Sequence, residues 1–298
     1  MPASGGPLGP AAALVAPTAP PLATHIGARC MPRKSATPSE VPLSRSRLTL
    51  LAASLLMLST PAWADRRYFV QTYTPYLAPA ENLEFETWAI AQEGRGDSTN
   101  TSWQTRAEFE YSISDRLTGA AYLNFVQDAG GPQRFDGPSL EVIYQLAEPG
   151  KMLLDPAVYL EVRESGEELE LEPKLLLGRR HDTWVAAANV IGEFEYLHNA
   201  PAGYEDSEKK LELTLGVSRE FGAAFAIGLE GSYRSEFVDN ATDPSALFLG
   251  PTINLQSSKI QLSIGWHPQI SGSPSTHGGR NLADAPRSEF RMIIGVDL

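Results

Sequence analysis

From Asn82 onward, apolar and polar residues alternate with a period of two, in one segment after another. In 102–113, Trp103, Thr105, Ala107, Phe109, Tyr111 and Ile113 alternate with Ser102, Gln104, Arg106, Glu108, Glu110 and Ser112. Successive strand side chains point to opposite faces, so this segment has one apolar and one charged face. Leu211, Leu213, Leu215 and Val217 repeat the plan against Glu212, Thr214, Gly216 and Ser218. The expected strands are 82–92, 102–113, 117–127, 139–147, 153–163, 168–178, 183–197, 209–219, 224–236, 246–256, 259–270 and 287–298. No amphipathic helix interrupts the series.

The connections alternate too. Those near 114–116, 148–152, 179–182, 220–223 and 257–258 are short. Those near 93–101, 128–138, 198–208, 237–245 and 271–286 are longer and rich in Gly, Pro, Asn, Asp and Ser, while 164–167 is short. An even strand count, tight turns at one end and long loops at the other predict an all-β fold. It is a transmembrane antiparallel up-and-down β-barrel of about 12 strands. Closure satisfies every backbone hydrogen bond, as hydrocarbon demands.

Aromatic residues fall at both ends of the apolar face. Trp103, Phe125, Tyr196, Tyr233, Trp266 and Phe290 lie near the loop end, and Tyr111, Trp184 and Phe225 near the turn end. These are two interfacial girdles. Trp88 shares a face with Glu84 and Glu86 and is expected to point inward. Pro156, Pro173 and Pro251 lie on the lipid face and predict local breaks in the ladder. A soluble periplasmic sandwich or lipocalin-like binding barrel would alternate as well, with its apolar face inward. Small residues on the polar face and aromatics at strand ends favour the membrane barrel.

Upstream the pattern changes. The apolar run 48–58 follows Arg45 and Arg47 and precedes Ala62-Trp63-Ala64. Those are the parts of a secretory signal peptide, cleaved after Ala64. The expected organisation is a disordered Pro/Ala/Gly-rich extension at 1–43, a signal peptide at 44–64, a periplasmic segment at 65–81 and the barrel at 82–298. Met31, followed by Arg33 and Lys34, would make a more ordinary start. Removing 1–64 leaves 19 basic and 35 acidic residues, a net charge of −16. Nucleic acid is therefore excluded as a partner. Cys30 is the only cysteine, so the mature chain has no disulfide.

Tyr68-Phe69 and Tyr73 precede Leu77-Ala78-Pro79, then Leu83-Glu84-Phe85-Glu86-Thr87-Trp88. Glu108, Glu110-Tyr111, Asp115-Arg116 and Tyr122-Leu123-Asn124 follow. These stretches resemble a family of uncharacterised bacterial outer-membrane barrel proteins, with a Tyr-rich mature start, an E-x-E-x-W strand and an E-Y-x-x-x-D-R hairpin. The resemblance implies an outer-membrane location and brings no activity. The final segment, Phe290, Met292, Ile294, Val296 and Leu298, is similar to the C-terminal assembly signal of such barrels. It implies outer-membrane lipid and the barrel assembly machinery as partners. The terminal residue of that signal is most often Phe, where this chain has Leu298.

The lumen face is expected to hold Glu84, Glu86, Arg106, Glu108, Glu110, Glu141, Glu161, Arg163, Glu170, Glu172, Lys174, Glu193, Glu195, Glu212, Glu230, Arg234, Glu289 and Arg291. Closure would set Glu289 and Arg291 on the strand beside Glu84 and Glu86. Carboxylate rings select cations, so one reading is a narrow pore for a small polar or cationic solute. The other is a lumen filled by mutual salt bridges, since twelve strands lie between filled and open barrels. A lipid-modifying enzyme would need a nucleophile and base in reach of each other. His267 faces inward, yet Asn254 and Ser263 are expected at other heights. His181, His198 and His277 are scattered, so no metal and no cofactor is expected. Arg95-Gly96-Asp97 and the acidic run Glu205-Asp206-Ser207-Glu208 belong to expected outer loops.

Replacing Leu298 by Phe should raise the yield of heat-modifiable, membrane-embedded protein. An unchanged or lower yield on semi-native gels would count against the terminal-signal reading.

Overall fold

The computed structural model describes residues 66–94, 100–166, 168–199, 203–237 and 244–298. The expected extension, signal peptide, cleavage site and Arg-Gly-Asp tripeptide lie outside these residues, as do the side chains of the acidic run at 205–207.

Twelve strands close into one antiparallel barrel, each paired with its neighbours in sequence. They are β1 (Leu83–Glu93), β2 (Thr101–Ser114), β3 (Leu117–Gln127), β4 (Gln133–Gln145), β5 (Asp155–Glu164) and β6 (Glu168–His181). The rest are β7 (Trp184–Asn199), β8 (Gly203–Glu220), β9 (Phe225–Phe237), β10 (Ser245–Gln256), β11 (Ile260–Ser273) and β12 (Ser288–Asp297). The expected fold class holds. β4 and β8 each start about six residues earlier than the alternation suggested. The loop expected at 128–138 therefore shrinks to 128–132, and β8 takes in 203–208 of the loop expected at 198–208. Backbone pairing continues past the apolar band, where alternation no longer marks a strand.

β1 and β12 form the seam, from Glu84 opposite Asp297 to Glu93 opposite Ser288. The Leu298 amide donates to the Leu83 carbonyl at 3.0 Å. Glu289 and Arg291 lie on the strand beside β1, opposite Gln92 and Ile90. Two of the three prolines interrupt the ladder as expected. β6–β7 pairing skips between Leu171 and Lys174 at Pro173, and β10–β11 pairing skips between Phe248 and Thr252 at Pro251. Pro156 sits near the start of β5 in an unbroken register with β6.

The faces are inverted relative to a soluble protein. On β2, Phe109, Tyr111 and Ile113 are 54%, 45% and 55% exposed, while Glu108, Glu110 and Ser112 are buried. Trp103, Trp184, Tyr233 and Trp266 are exposed on the outer wall, and Tyr196 and Phe290 are half-buried there. Such a continuous apolar outer surface needs a lipid solvent. A soluble binding barrel would bury this face, so that alternative does not describe the fold.

Deleting Val296 to Leu298 removes the last β1–β12 pairs and the Leu298-to-Leu83 bond. The variant should lose its heat-modifiable band, because unpaired backbone groups in hydrocarbon cost several kcal/mol each. A variant that still closes would show that the seam tolerates an open end.

Candidate functional site

The expected lumen residues do turn inward. Glu84, Glu86, Glu108, Glu110, Glu141, Glu161, Glu170, Lys174, Glu195, Glu230 and Glu289 are buried, and the remainder face the interior half-covered. Their surroundings differ from expectation in one large respect. Residues 66–77, expected in the periplasm, lie inside the barrel.

The segment enters at the turn end, reaches past mid-height and returns. Arg66 donates to the Ala223 carbonyl in the β8–β9 turn at 3.1 Å and to Asn254 Oδ1 at 2.5 Å. Arg67 Nε bridges both oxygens of Glu86 at 3.0 Å, and Ser263 Oγ donates to the Arg67 carbonyl at 2.9 Å. At the apex, the Gln71 amide side chain touches His267 Nδ1 at 3.1 Å and donates to Glu289 at 3.3 Å. The return limb is held by reciprocal bonds between the Tyr73 backbone and Asn189, at 2.7 and 2.9 Å. It leaves through Gln145, which donates to the Pro75 carbonyl at 2.9 Å, and Tyr76, which donates to Asp155 at 3.1 Å.

The central clamp is Glu230, fully buried on β9. Its carboxylate accepts the backbone N–H groups of Val70 at 3.2 Å, Gln71 at 2.9 Å and Thr72 at 2.5 Å. A segment without its own secondary structure must find partners for its amides, and one carboxylate supplies three. His267 Nε2 lies 3.3 Å from the same carboxylate.

Packing fixes the segment as firmly as charge. Val70 and Tyr73 join Trp88, Ile143, Ala157, Tyr159, Leu176 and Ile293 in one apolar cluster. Tyr68 and Phe69 join Val185, Ala187 and Ala226 in a second. Trp88 points inward as expected and stacks on Tyr73, with ring centres 6.4 Å apart. The lumen wall thins where the segment presses closest. A side chain at Gly216 would collide with the Phe69 ring, and one at Gly265 with Val70.

Above this plug lies a cavity of about 350 Å³, floored by Gln71 and Tyr73. Arg106, Glu170, Glu172, Lys174, Glu193, Glu195, Arg234 and Arg291 line it. Its charges are largely paired: Lys210 bonds Glu193 and Glu195 at 2.7 and 2.6 Å, and Lys174 bonds Glu172 at 2.8 Å. Arg234 bridges Glu212 and Glu289, both at 3.1 Å. On the turn side a space of about 20 Å³ remains, and Tyr73 borders both. Both sequence alternatives therefore miss the main element. The lumen carries salt bridges, yet its lower half is filled by the chain's own N-terminal segment.

Among the described residues, the side chains considered for a lipid-modifying enzyme have other partners. Ser263 Oγ donates to the Arg67 carbonyl and accepts from Asn254, while His267 meets Gln71 through Nδ1 and holds Nε2 3.3 Å from the Glu230 carboxylate. Sequence reasoning gave Arg66, Arg67 and Gln71 no role, and used Tyr68 and Phe69 only for the family resemblance. Their signals were the apolar residues Ile143, Leu176, Val185 and Ile293 on an otherwise polar face, and glycines beside them.

These features define a plugged, closed twelve-strand transmembrane β-barrel. Its fold is similar to that of an outer-membrane channel from Pseudomonas putida F1, with TM-score 0.57 and 9% identity over 77% of this chain and 100% of that one. It is also similar to NanC porin, with TM-score 0.50 and 11% identity over 72% of this chain and 98% of that one. Residues 164–298 match a family of unknown function, DUF6662. No curated protein matches the sequence.

Substituting Glu230 by Gln keeps the volume but removes the charge and one acceptor. Amide exchange at Val70, Gln71 and Thr72 should accelerate by tenfold or more in a barrel that keeps its heat-modifiable mobility, since each charge-assisted bond contributes about 1.5–3 kcal/mol. Unchanged protection there would show that packing alone holds the plug.

Proposed function

We propose that the chain is a non-enzymatic outer-membrane channel, shut in this state by its own N-terminal segment. The carrying observation is the path of residues 66–77: in from the turn end, up to Gln71, and back through Tyr76. The cavity above it would receive solute from the loop side. Cleavage after Ala64 would release the segment to enter the lumen. The P. putida protein of similar fold is described as an outer-membrane channel, which supports the reading. The cargo class is a small polar or cationic solute, since a lumen relieved of Arg66 and Arg67 would present Glu84, Glu86, Glu110 and Glu230. Lipid would cover the outer apolar band, and the barrel assembly machinery would insert it.

Planar-bilayer recording tests this. The mature chain should give rare, small conductance steps, and a variant lacking 66–77 should give several-fold larger, cation-selective ones. Gly216→Leu, which occupies the place of the Phe69 ring, should shift the intact chain the same way. A deletion variant that folds and never conducts would end the channel reading and leave a structural barrel.

A further inference from the structure

Two groups of three glutamates each bring carboxylate oxygens within 4.8 Å of one another. In the first, Glu168, Glu170 and Glu195, basic side chains fill the centre: Arg163 binds Glu168 and Glu170, and Lys210 binds Glu195. The second is Glu108, Glu110 and Glu141. The barrel register builds it, because Glu110 and Glu141 flank the small Ala120 on β3, one on each side. Glu108 lies two residues along β2 on the same face.

Here the balance of charge differs. Among the described residues, Glu108 and Glu141 have no basic nitrogen within the 4.0 Å of an ion pair. The nearby cations are committed elsewhere: Arg67 to Glu86, Arg106 to Glu161 at 3.5 Å, and Lys174 to Glu172. Glu108 is 0% and Glu141 5% exposed. Each has one oxygen satisfied, by Trp88 Nε1 at 3.0 Å for Glu108 and by the Tyr122 hydroxyl for Glu141. The other oxygen of each, Oε1, is buried with no hydrogen-bond partner. Two orphaned buried carboxylate oxygens in one cluster are a large electrostatic debt.

We infer that Glu108, Glu110 and Glu141 form a divalent-cation site, of Ca²⁺ type, between the barrel wall and the plug. All the donors are hard carboxylate oxygens, which suit Ca²⁺ rather than a softer metal. Oxygens facing each other across a Ca²⁺ ion stand about 4.6–5.2 Å apart, twice the usual bond length. The cluster's oxygens all lie within 4.8 Å of one another, a grouping that one such ion can bridge. The small space on the turn side borders Glu110 together with Arg67, Tyr73 and Leu77 of the plug. Water there would complete the coordination. A bound cation would neutralise the wall against which the return limb packs.

Terbium tests the site, because Trp88 donates to Glu108 and can sensitise a lanthanide held there. The mature chain, stripped by chelator in detergent, should show tryptophan-sensitised Tb³⁺ emission that Ca²⁺ displaces. Glu108→Gln combined with Glu141→Gln should weaken Tb³⁺ binding at least tenfold, and Glu148→Gln on an exposed turn should leave it unchanged. Ca²⁺ should also raise the melting temperature of the unmutated chain over chelator-treated protein, a readout independent of how the variants fold. Absence of emission and of any melting shift, as when the two carboxylates share a proton instead, would overturn the site. So would equal emission from a folded double variant.

Discussion

A carboxylate sealed inside a barrel must be answered by a donor or a cation, and this barrel seals many. The outer wall is given over to lipid, so charge on the alternating strands has only the lumen to occupy. There Glu86, Glu108, Glu161, Glu230 and Glu289 are each almost fully buried. Breaking a buried pair costs about 3–5 kcal/mol, because a charge is left uncompensated. The strands supply some partners: Arg106 for Glu161, and Arg234 and Arg291 for Glu289. They do not supply enough. Arg66 and Arg67 and a run of backbone amides from the N-terminal segment take up much of the remainder. The plug is thus an integral part of the barrel's electrostatics.

The same segment satisfies a second demand that the strands create. Ile143, Leu176, Val185 and Ile293 face a lumen that would otherwise be wet. Val70, Tyr73, Tyr68 and Phe69 cover them. Tyr73 does both jobs at once, packing in the apolar cluster while Arg67 and Lys174 sit 4.8 and 4.4 Å from its ring centre. Cations on an aromatic face are worth about 0.5–2 kcal/mol each, more when desolvated as here.

The period-two alternation made the barrel legible because each strand carries its own record of which face meets lipid. The strand ends beyond the band carried no such record, which is why β4 and β8 run longer than expected. The lumen set was legible for the same reason as the strands. The destination of 66–77 was not, because an irregular segment states no period and its partners lie up to 218 residues away. Its trace was present only as misfits: Ile293 among polar neighbours on β12, Leu176 inside the triple leucine of β6, Gly216 where a polar residue was due. Each misfit reads as noise on a single strand. Together, at the turn half of the barrel, they outline the missing occupant.

Whether such a plug opens is a matter of population. The Glu230 clamp alone is three charge-assisted bonds, together about 5–9 kcal/mol. At about 1.4 kcal/mol per tenfold, an unassisted open state would be rarer than about one in a thousand. Anything that opens the barrel must therefore take over these contacts rather than wait for them to lapse. Departure of the segment would remove Arg66 and Arg67 and leave Glu86 and Glu230 facing the vacated space. Cations would be drawn in by the charge that the plug had neutralised. On the proposed channel reading, a preference for cations would belong to the open barrel, because in the closed one the chain's own arginines take the place of the cations.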